Sequence, residues 1–346
     1  MRKTAIIYVF LLLGLLYPQA FAADGRGMVH VMTNDGHKLP LYGKSYALLI
    51  GVSDYDTGTG WSDLVSVPRE LDRLEKMLKH QGFAIVRVNN PDDERLVSAF
   101  RDFTGKYGYD ETNRLLFFFS GHGYTRNNKG YLVPRNASHP GRGERGFLRK
   151  ALPIMDILAL SRRIEARHAL FLFDSSFSST VFEAKRVPRT PPRITARTTH
   201  KVRQFITAGN AGEEVPNKST FTPALVDGIS QGKADLNSDG YVTGMELGMY
   251  LQSEVPKYTN QIPQFGKSQD YELAQGDFVF VLGRPALVMP RKLEKTSSAD
   301  HAIELEFWDS IRQSDDPDMY RAYLKQYPNG SFAALAKIKI KKLESR

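Results

Sequence analysis

The chain has 346 residues, 41% hydrophobic and 25% charged, with a formal net charge of +9 and no cysteine. That length holds one large domain and a small one, and a mean hydropathy of −0.37 places the chain among soluble globular proteins. The missing cysteines exclude disulfides, a thiol nucleophile and a cysteine-linked lipid anchor, so stability has to come from the core.

Arg2 and Lys3 precede an apolar run from Ala5 to Tyr17, and Ala20-Phe21-Ala22 forms a small-residue cleavage site. Residues 1–22 thus read as a secretory signal peptide, which sends the chain to the periplasm or the medium of a bacterial cell. The alternative is an uncleaved anchor, for which the run is short. Without Arg2 and Lys3 the net charge is +7. Residues 23–44 read as a polar lead-in. Tyr46 to Val52 is a first strand, followed by a loop with Gly51, Asp54 and Gly58. Pro68 opens a helix with Leu71, Leu74, Met77 and Leu78 on one face, which Gly82 stops. Phe83 to Val88 is a second strand. Asp92 and Asp93 cap a helix carrying Leu96, Ala99, Phe100 and Phe103. Arg114 to Phe119 is a third strand, Leu152 to Ala166 a helix and His168 to Asp174 a fourth strand. Val202 to Ala208 and Asp277 to Leu282 are a fifth and a sixth. The alternation predicts an α/β fold with a mostly parallel sheet and right-handed crossovers.

Two of these strands end in chemistry. Ser120-Gly121-His122-Gly123 follows the third and Asp174-Ser175-Ser176-Phe177-Ser178 the fourth. A base and a small nucleophile-type residue at the C-terminal ends of neighbouring parallel strands sit where open α/β sheets place their sites. The two motifs resemble those of the caspase-like cysteine peptidases, which include caspases, metacaspases and bacterial relatives. Supporting phrases are Ala47-Leu48-Leu49-Ile50-Gly51-Val52, Gly130-Tyr131-Leu132-Val133-Pro134 and Phe221-Thr222-Pro223-Ala224-Leu225. The resemblance covers residues 44–283. It implies a three-layer αβα sandwich with a mostly parallel six-stranded sheet, plus a small C-terminal helical segment.

By that resemblance His122 is the base, Ser176 stands where the family has its cysteine, and the amides of Gly123 and Ser176 form the oxyanion hole. Asp174 corresponds to a metacaspase position that helps form an acidic pocket for Arg or Lys. Its other reading is an Asp that satisfies backbone amides at a strand end. A thiol is partly ionised near neutral pH, whereas an alcohol needs a base polarised by a carboxylate, and the sequence shows none. Ser179 also replaces a glycine usual in bacterial relatives. The expectation is therefore a pseudopeptidase that binds peptides or proteins. The alternatives are a hydrolase using a Ser176–His122 dyad with a preference for Arg or Lys, or a Cys→Ser replacement made by design.

Asp235-Leu236-Asn237-Ser238-Asp239-Gly240-Tyr241-Val242-Thr243-Gly244-Met245-Glu246 matches the EF-hand calcium loop. Asp235, Asn237 and Asp239 offer single oxygens, Tyr241 its carbonyl, Thr243 a water-mediated contact and Glu246 a bidentate carboxylate. Helices are expected over 221–231 and 243–252, with the loop near the active-site face, and Ca2+ is the one expected cofactor. The alternative is an Asx-rich turn without metal. Residues 183–203 form a basic, Pro-containing stretch that reads as a mobile linker, and no nucleic-acid partner or stable membrane insertion is expected. Residues 284–302 read as a linker and 303–346 as a helical module similar to tetratricopeptide-like helix pairs. Phe307, Trp308, Tyr320, Tyr323, Leu335 and Ile338 should form its apolar surface, buried against the main domain or a protein partner.

Overall fold

The protein is described here by a computed structural model covering residues 28–177, 183–184, 190–209 and 218–282, and in the C-terminal part 304, 307–312, 314, 316–328, 330 and 332–344. The segments expected as a signal peptide (1–22) and as a linker (284–302), with Ser178, Ser179 and residues 185–189, lie outside these residues. The chain divides into two compact units, Met1–Gly283 and Arg284–Arg346, each with its own core. Among the described residues no helix is long and apolar enough to cross a membrane.

The main unit is built on one sheet. β3 (Lys44–Gly51), β4 (Ala84–Asn89), β5 (Asn113–Ser120), β9 (His168–Ser176) and β11 (Val202–Gly209) run parallel, in the order β11-β9-β5-β3-β4. β13 (Gln264–Lys267) adds antiparallel to β11, and the two-residue β10 (Glu183–Ala184) pairs with β13 at the edge. The parallel strands are almost wholly buried, because helices cover both faces. On one face α1 (Val67–His80) buries Val67, Leu71 and Leu74. A side chain at Gly51 would collide with Leu71 and Val67, so glycine at that strand end lets the helix close. α5 (Phe221–Ser230) packs on α1, and α6 (Gly244–Glu254) on α5. On the other face α2 (Asp93–Tyr107), capped by the Asp92 side chain, lays Phe100 and Phe103 on Phe117 and packs with α4 (Ile154–Arg162). Phe117, Phe171 and Phe205 are paired in register across β5, β9 and β11. Their rings stack with centroids 4.4 and 4.9 Å apart.

Several sequence expectations are corrected. Residues 28–44, expected within a polar lead-in, are not plain polar chain. β1 (Val29–Met32) and β2 (Lys38–Tyr42) form an antiparallel hairpin whose Val31, Leu41 and Tyr42 pack on Ile194 and Val279. The alternation is only two or three apolar residues long in each strand, which hides it. Asp277–Leu282 is not a strand of the main sheet. Its core, β14 (Val279–Val281), pairs with β12 (Tyr241–Thr243), while the sixth main strand is the polar Gln264–Lys267. The helix expected over 152–166 spans only Ile154–Arg162, because Leu152–Pro153 pair as β8 with β7 (Lys129–Leu132), which also pairs with β6 (Gly123–Arg126). The basic stretch is ordered over 190–203. Ile194 is buried, Ala196–Thr199 form a 3-10 turn, and Lys201 pairs with Glu111 at 2.9 Å.

Among the described residues, Arg114 and Arg203 are fully buried with no carboxylate partner. Arg203 donates to the carbonyls of Ser161, Arg167, Val202 and Ile164. Arg114 donates to Ser45 Oγ, Val279 O and Gln81 O at 2.6–2.8 Å, and its guanidinium lies 4.3 Å from the Phe83 ring centroid and 4.6 Å from that of Tyr42. Burial pulls both arginines down to about 10. Arg114 thereby ties β5 to β14.

In the C-terminal unit Trp308 stacks on Phe332 with centroids 4.9 Å apart. Tyr323 Oη donates to Glu304 and accepts from Phe332 N. Asp316 caps the helix Pro317–Gln326. Leu335 and Ile338, expected in this core, are 51% and 63% exposed. The helix Ala333–Glu344 instead turns Ala333 and Ala336 inward, since the Trp308 and Tyr323 rings leave room only for small side chains.

Removing the Arg114 fork should be costly. Arg114→Met strands two buried carbonyls, and urea unfolding should show a loss of about 3 kcal/mol. The exposed Arg101→Met should stay within about 0.5 kcal/mol of the parent chain.

Candidate functional site

The site lies at the C-terminal edge of the sheet, where β5 and β9 end side by side with Ser120 opposite Asp174. His122 leaves β5 and is held by aromatic walls. The Tyr55 ring centroid is 4.9 Å away, and Trp61 stacks at 5.0 Å. Tyr55 Oη accepts the His122 backbone N–H at 2.8 Å. His122 Nε2 lies 2.8 Å from the carbonyl oxygen of Ser62. A carbonyl can only accept, so Nε2 carries the proton and the neutral ring keeps its lone pair on Nδ1. Burial holds the imidazole below its ordinary value, and the nearby His139 adds to that. His122 is therefore neutral at pH 7. Its orienting partner is a backbone dipole rather than a carboxylate.

Gly123 opens β6 directly against β9. An added Cβ there would meet Ser175 Oγ and, at 2.8 Å, the carbonyl of Ser176. Only glycine allows the His122 turn to sit this close to Ser175 and Ser176. Ser176 is nearly buried, and its Oγ receives Gln261 Nε2 at 3.0 Å. Among the described residues no hydrogen bond joins Ser176 to His122. Ser175 Oγ is buried without a partner among them.

Asp174 is bonded from the start of α5, where the Thr222 backbone N–H is among its partners. Its Oδ2 accepts the Thr222 hydroxyl at 2.6 Å, and the Ser219 side chain also bonds it. Burial pushes this carboxyl up. Beside it is Glu70 of α1, 4% exposed and pushed up to about 7, first by burial and then by the charge of Asp174. Glu70 Oε2 is buried with no hydrogen-bond partner among the described residues. Two acids thus share one closed corner, one of them incompletely bonded.

A protein-family model described as a caspase domain matches residues 44–270. The chain belongs to this family. Comparison with curated proteins gives no match. Within the caspase domain, sequence reasoning picked out His122, Gly123, Asp174 and Ser176, which the fold gathers at one sheet edge. It missed Glu70, whose signal was an acid on the apolar face of α1 between Val67 and Leu74. It also missed Tyr55, Trp61, Ser62 and Gln261, which stand in loops without a pattern.

The twelve-residue loop of the caspase domain lies elsewhere. Gly244 packs on Gln204, near the start of β11, whereas Gly209 at its end lies opposite Ser176. The loop is thus at the opposite edge of the sheet from His122, about 16 Å along the strand, and not near the active-site face. α5 descends from Asp174, where Thr222 sits, and α6 climbs back towards Ser176. In the loop Asp235 accepts the N–H groups of Asp239 and Gly240, Asn237 Oδ1 that of Asp239, and Asp239 that of Tyr241. Gly240 takes φ +86° and Ser238 φ 58°. Glu246 Oε2 caps α6 by accepting Thr243 N and Thr243 Oγ1, while Oε1 is buried with no partner among the described residues. Asn237 Nδ2 is spent on the Pro192 carbonyl, leaving its Oδ1 on the loop side. Among the described residues no three Asp, Glu or His side chains already converge as a metal cage. The donor set nevertheless suits a hard divalent cation. Burial raises Asp239, and burial with the charges of Asp239 and Asp235 pushes Glu246 up to about 7. These raised carboxyls and the orphaned Oε1 are the features a calcium ion would relieve.

The sign of this strain sets a pH dependence. Glu70 and Glu246 hold a proton more tightly folded, at about 7, than at their ordinary 4.5. Ion-free protein should lose stability as pH rises from about 4.5 to about 7 and then level off. Calcium should restore the Glu246 share at neutral pH, raising the melting temperature of the parent but hardly that of Glu246→Gln. Identical melting curves in chelator and in millimolar calcium would reduce the loop to a turn.

Proposed function

We propose that this is an exported, calcium-binding member of the caspase-domain family that holds basic peptide segments and cuts them poorly or not at all. The observation that carries the reading is the buried pair Glu70–Asp174, with its unpartnered Oε2, beside a serine at the nucleophile position. Recognition of Arg or Lys is retained by that acid pair. The chemistry is weakened at two points. Ser176 offers an alcohol, far less acidic than a thiol. His122 is backed by the neutral Ser62 carbonyl, which orients the ring but stabilises an imidazolium much less than a carboxylate would. The apolar start of the chain supports export, and the Asp235–Glu246 loop supports a bound Ca2+ held by Asp235, Asn237, Asp239, the Tyr241 carbonyl, Thr243 and Glu246. The C-terminal helices remain candidates for a protein partner.

One observation favours a serine hydrolase as the second reading: the tautomer of His122 is already fixed with Nδ1 free to accept a proton. Fluorogenic peptides ending in Arg, Lys or Asp separate the two. The mature protein with calcium should show no turnover, and Ser176→Cys should gain cleavage after Arg and Lys but not after Asp. Glu70→Gln in that background should lower cleavage after Arg and Lys by roughly tenfold or more, the scale of one charge-assisted hydrogen bond. Parent turnover that disappears in Ser176→Ala would replace the pseudopeptidase reading with the hydrolase.

A further inference from the structure

One polar contact at the site belongs to neither the base nor the acid pair. Gln261 lies between the 3-10 turn Val255–Lys257, which follows α6, and β13. It is 85 residues from Ser176 in sequence and 3% exposed, and its Nε2 donates to Ser176 Oγ at 3.0 Å. Its Oε1 is buried without a partner among the described residues. A buried primary amide half satisfied in this way is costly unless the site uses it.

The backbone around Gln261 is fixed from two sides. Gln252 of α6 donates to the carbonyl of Pro263, and Gln264 is paired with Thr207 in β11. Thr207 stands two residues before Gly209, the residue opposite Ser176. The amide is therefore carried on the same framework that sets the end of β9.

We propose that Gln261 is a positioning residue: its amide N–H holds the side chain at position 176 in place and would stabilise a thiolate introduced there. The inference rests on the reading of position 176 as the nucleophile position. With serine there, the proton stays on Oγ at neutral pH and the donor only fixes the rotamer. With a thiol, the same N–H becomes a charge-assisted donor to a thiolate and moves its titration.

The chain contains no cysteine, so Ser176→Cys introduces a single thiol whose titration can be read from the pH dependence of its alkylation by iodoacetamide. In that background Gln261→Met, close in size but without a donor, should raise the thiol pKa by about one unit or more. Gln261→Glu, nearly the same shape with a negative charge, should raise it further. Circular dichroism and melting of the same samples check that each variant is folded, and either variant alone suffices. An unchanged thiol pKa overturns the inference. So does a lowered one, because it would mean that the amide accepts from position 176 rather than donating to it. His122→Ala serves as the reference for the underlying reading. If it shifts the thiol pKa and the Gln261 variants do not, the inference fails and the nucleophile reading stands. If the Gln261 variants shift it and His122→Ala does not, position 176 is no nucleophile site and the reading beneath the inference fails.

Discussion

The site depends on the register between β5 and β9. Phe117 opposite Phe171, and Phe171 opposite Phe205, stack ring on ring through the middle of the sheet. A slip of one residue would turn every side chain of the strand to the other face and take these rings off α2. With the rings in place, Ser120 must fall opposite Asp174, and the two strand ends open at the same height. Gly123 then backs onto Ser175 and Ser176 with no room for a methyl group. A packing constraint in the hydrophobic layer thus fixes the relative position of a base and an alcohol in the polar layer above it.

That polar layer is electrostatically divided. On one side His122 is kept neutral by burial and aromatic neighbours, with a carbonyl behind it. On the other, Glu70 and Asp174 are held as acids that resist ionising together. The first arrangement suits a thiolate, which needs little help from its base. The second is a costly device unless a cation comes to it. The chain carries the costly device and a serine at position 176, which is why we propose binding as its function.

Much of this was legible in the sequence for a simple reason. Buried parallel strands are written as uninterrupted apolar runs such as Leu115–Phe119 and Ala169–Phe173, and their ends are marked by the small residues Gly121, Gly123 and Ser175. The hairpin at Val29–Tyr42 and the strand Gln264–Lys267 were not legible, because such short strands owe their pairing to neighbours rather than to an apolar pattern of their own. Glu70 was hidden by its helix, where an acid reads as solvent-facing until the packing of α5 closes over it. The place of the Asp235–Glu246 loop could not be inferred from its motif. A loop's spacing identifies its donors but not the edge of the sheet to which its helices lead. The inward face of Ala333–Glu344 was misassigned to Leu335 and Ile338 because hydrophobicity outranks size on paper, whereas two large rings leave space only for alanine.

The helix pair that leaves the loop has a consequence of its own. The upper end of α5 is tied to Asp174 through Thr222, and the upper end of α6 continues into the turn that carries Gln261 to Ser176. Both lie roughly 16 Å from the loop, about the length of the 11-residue α6. Two rods joined at the bottom and docked at the top behave as tongs. On the proposed function, a basic guest at the jaws and an ion at the hinge would be linked through these two helices. Thermodynamic reciprocity then requires that whatever factor the hinge adds to the grip, the grip returns to the hinge.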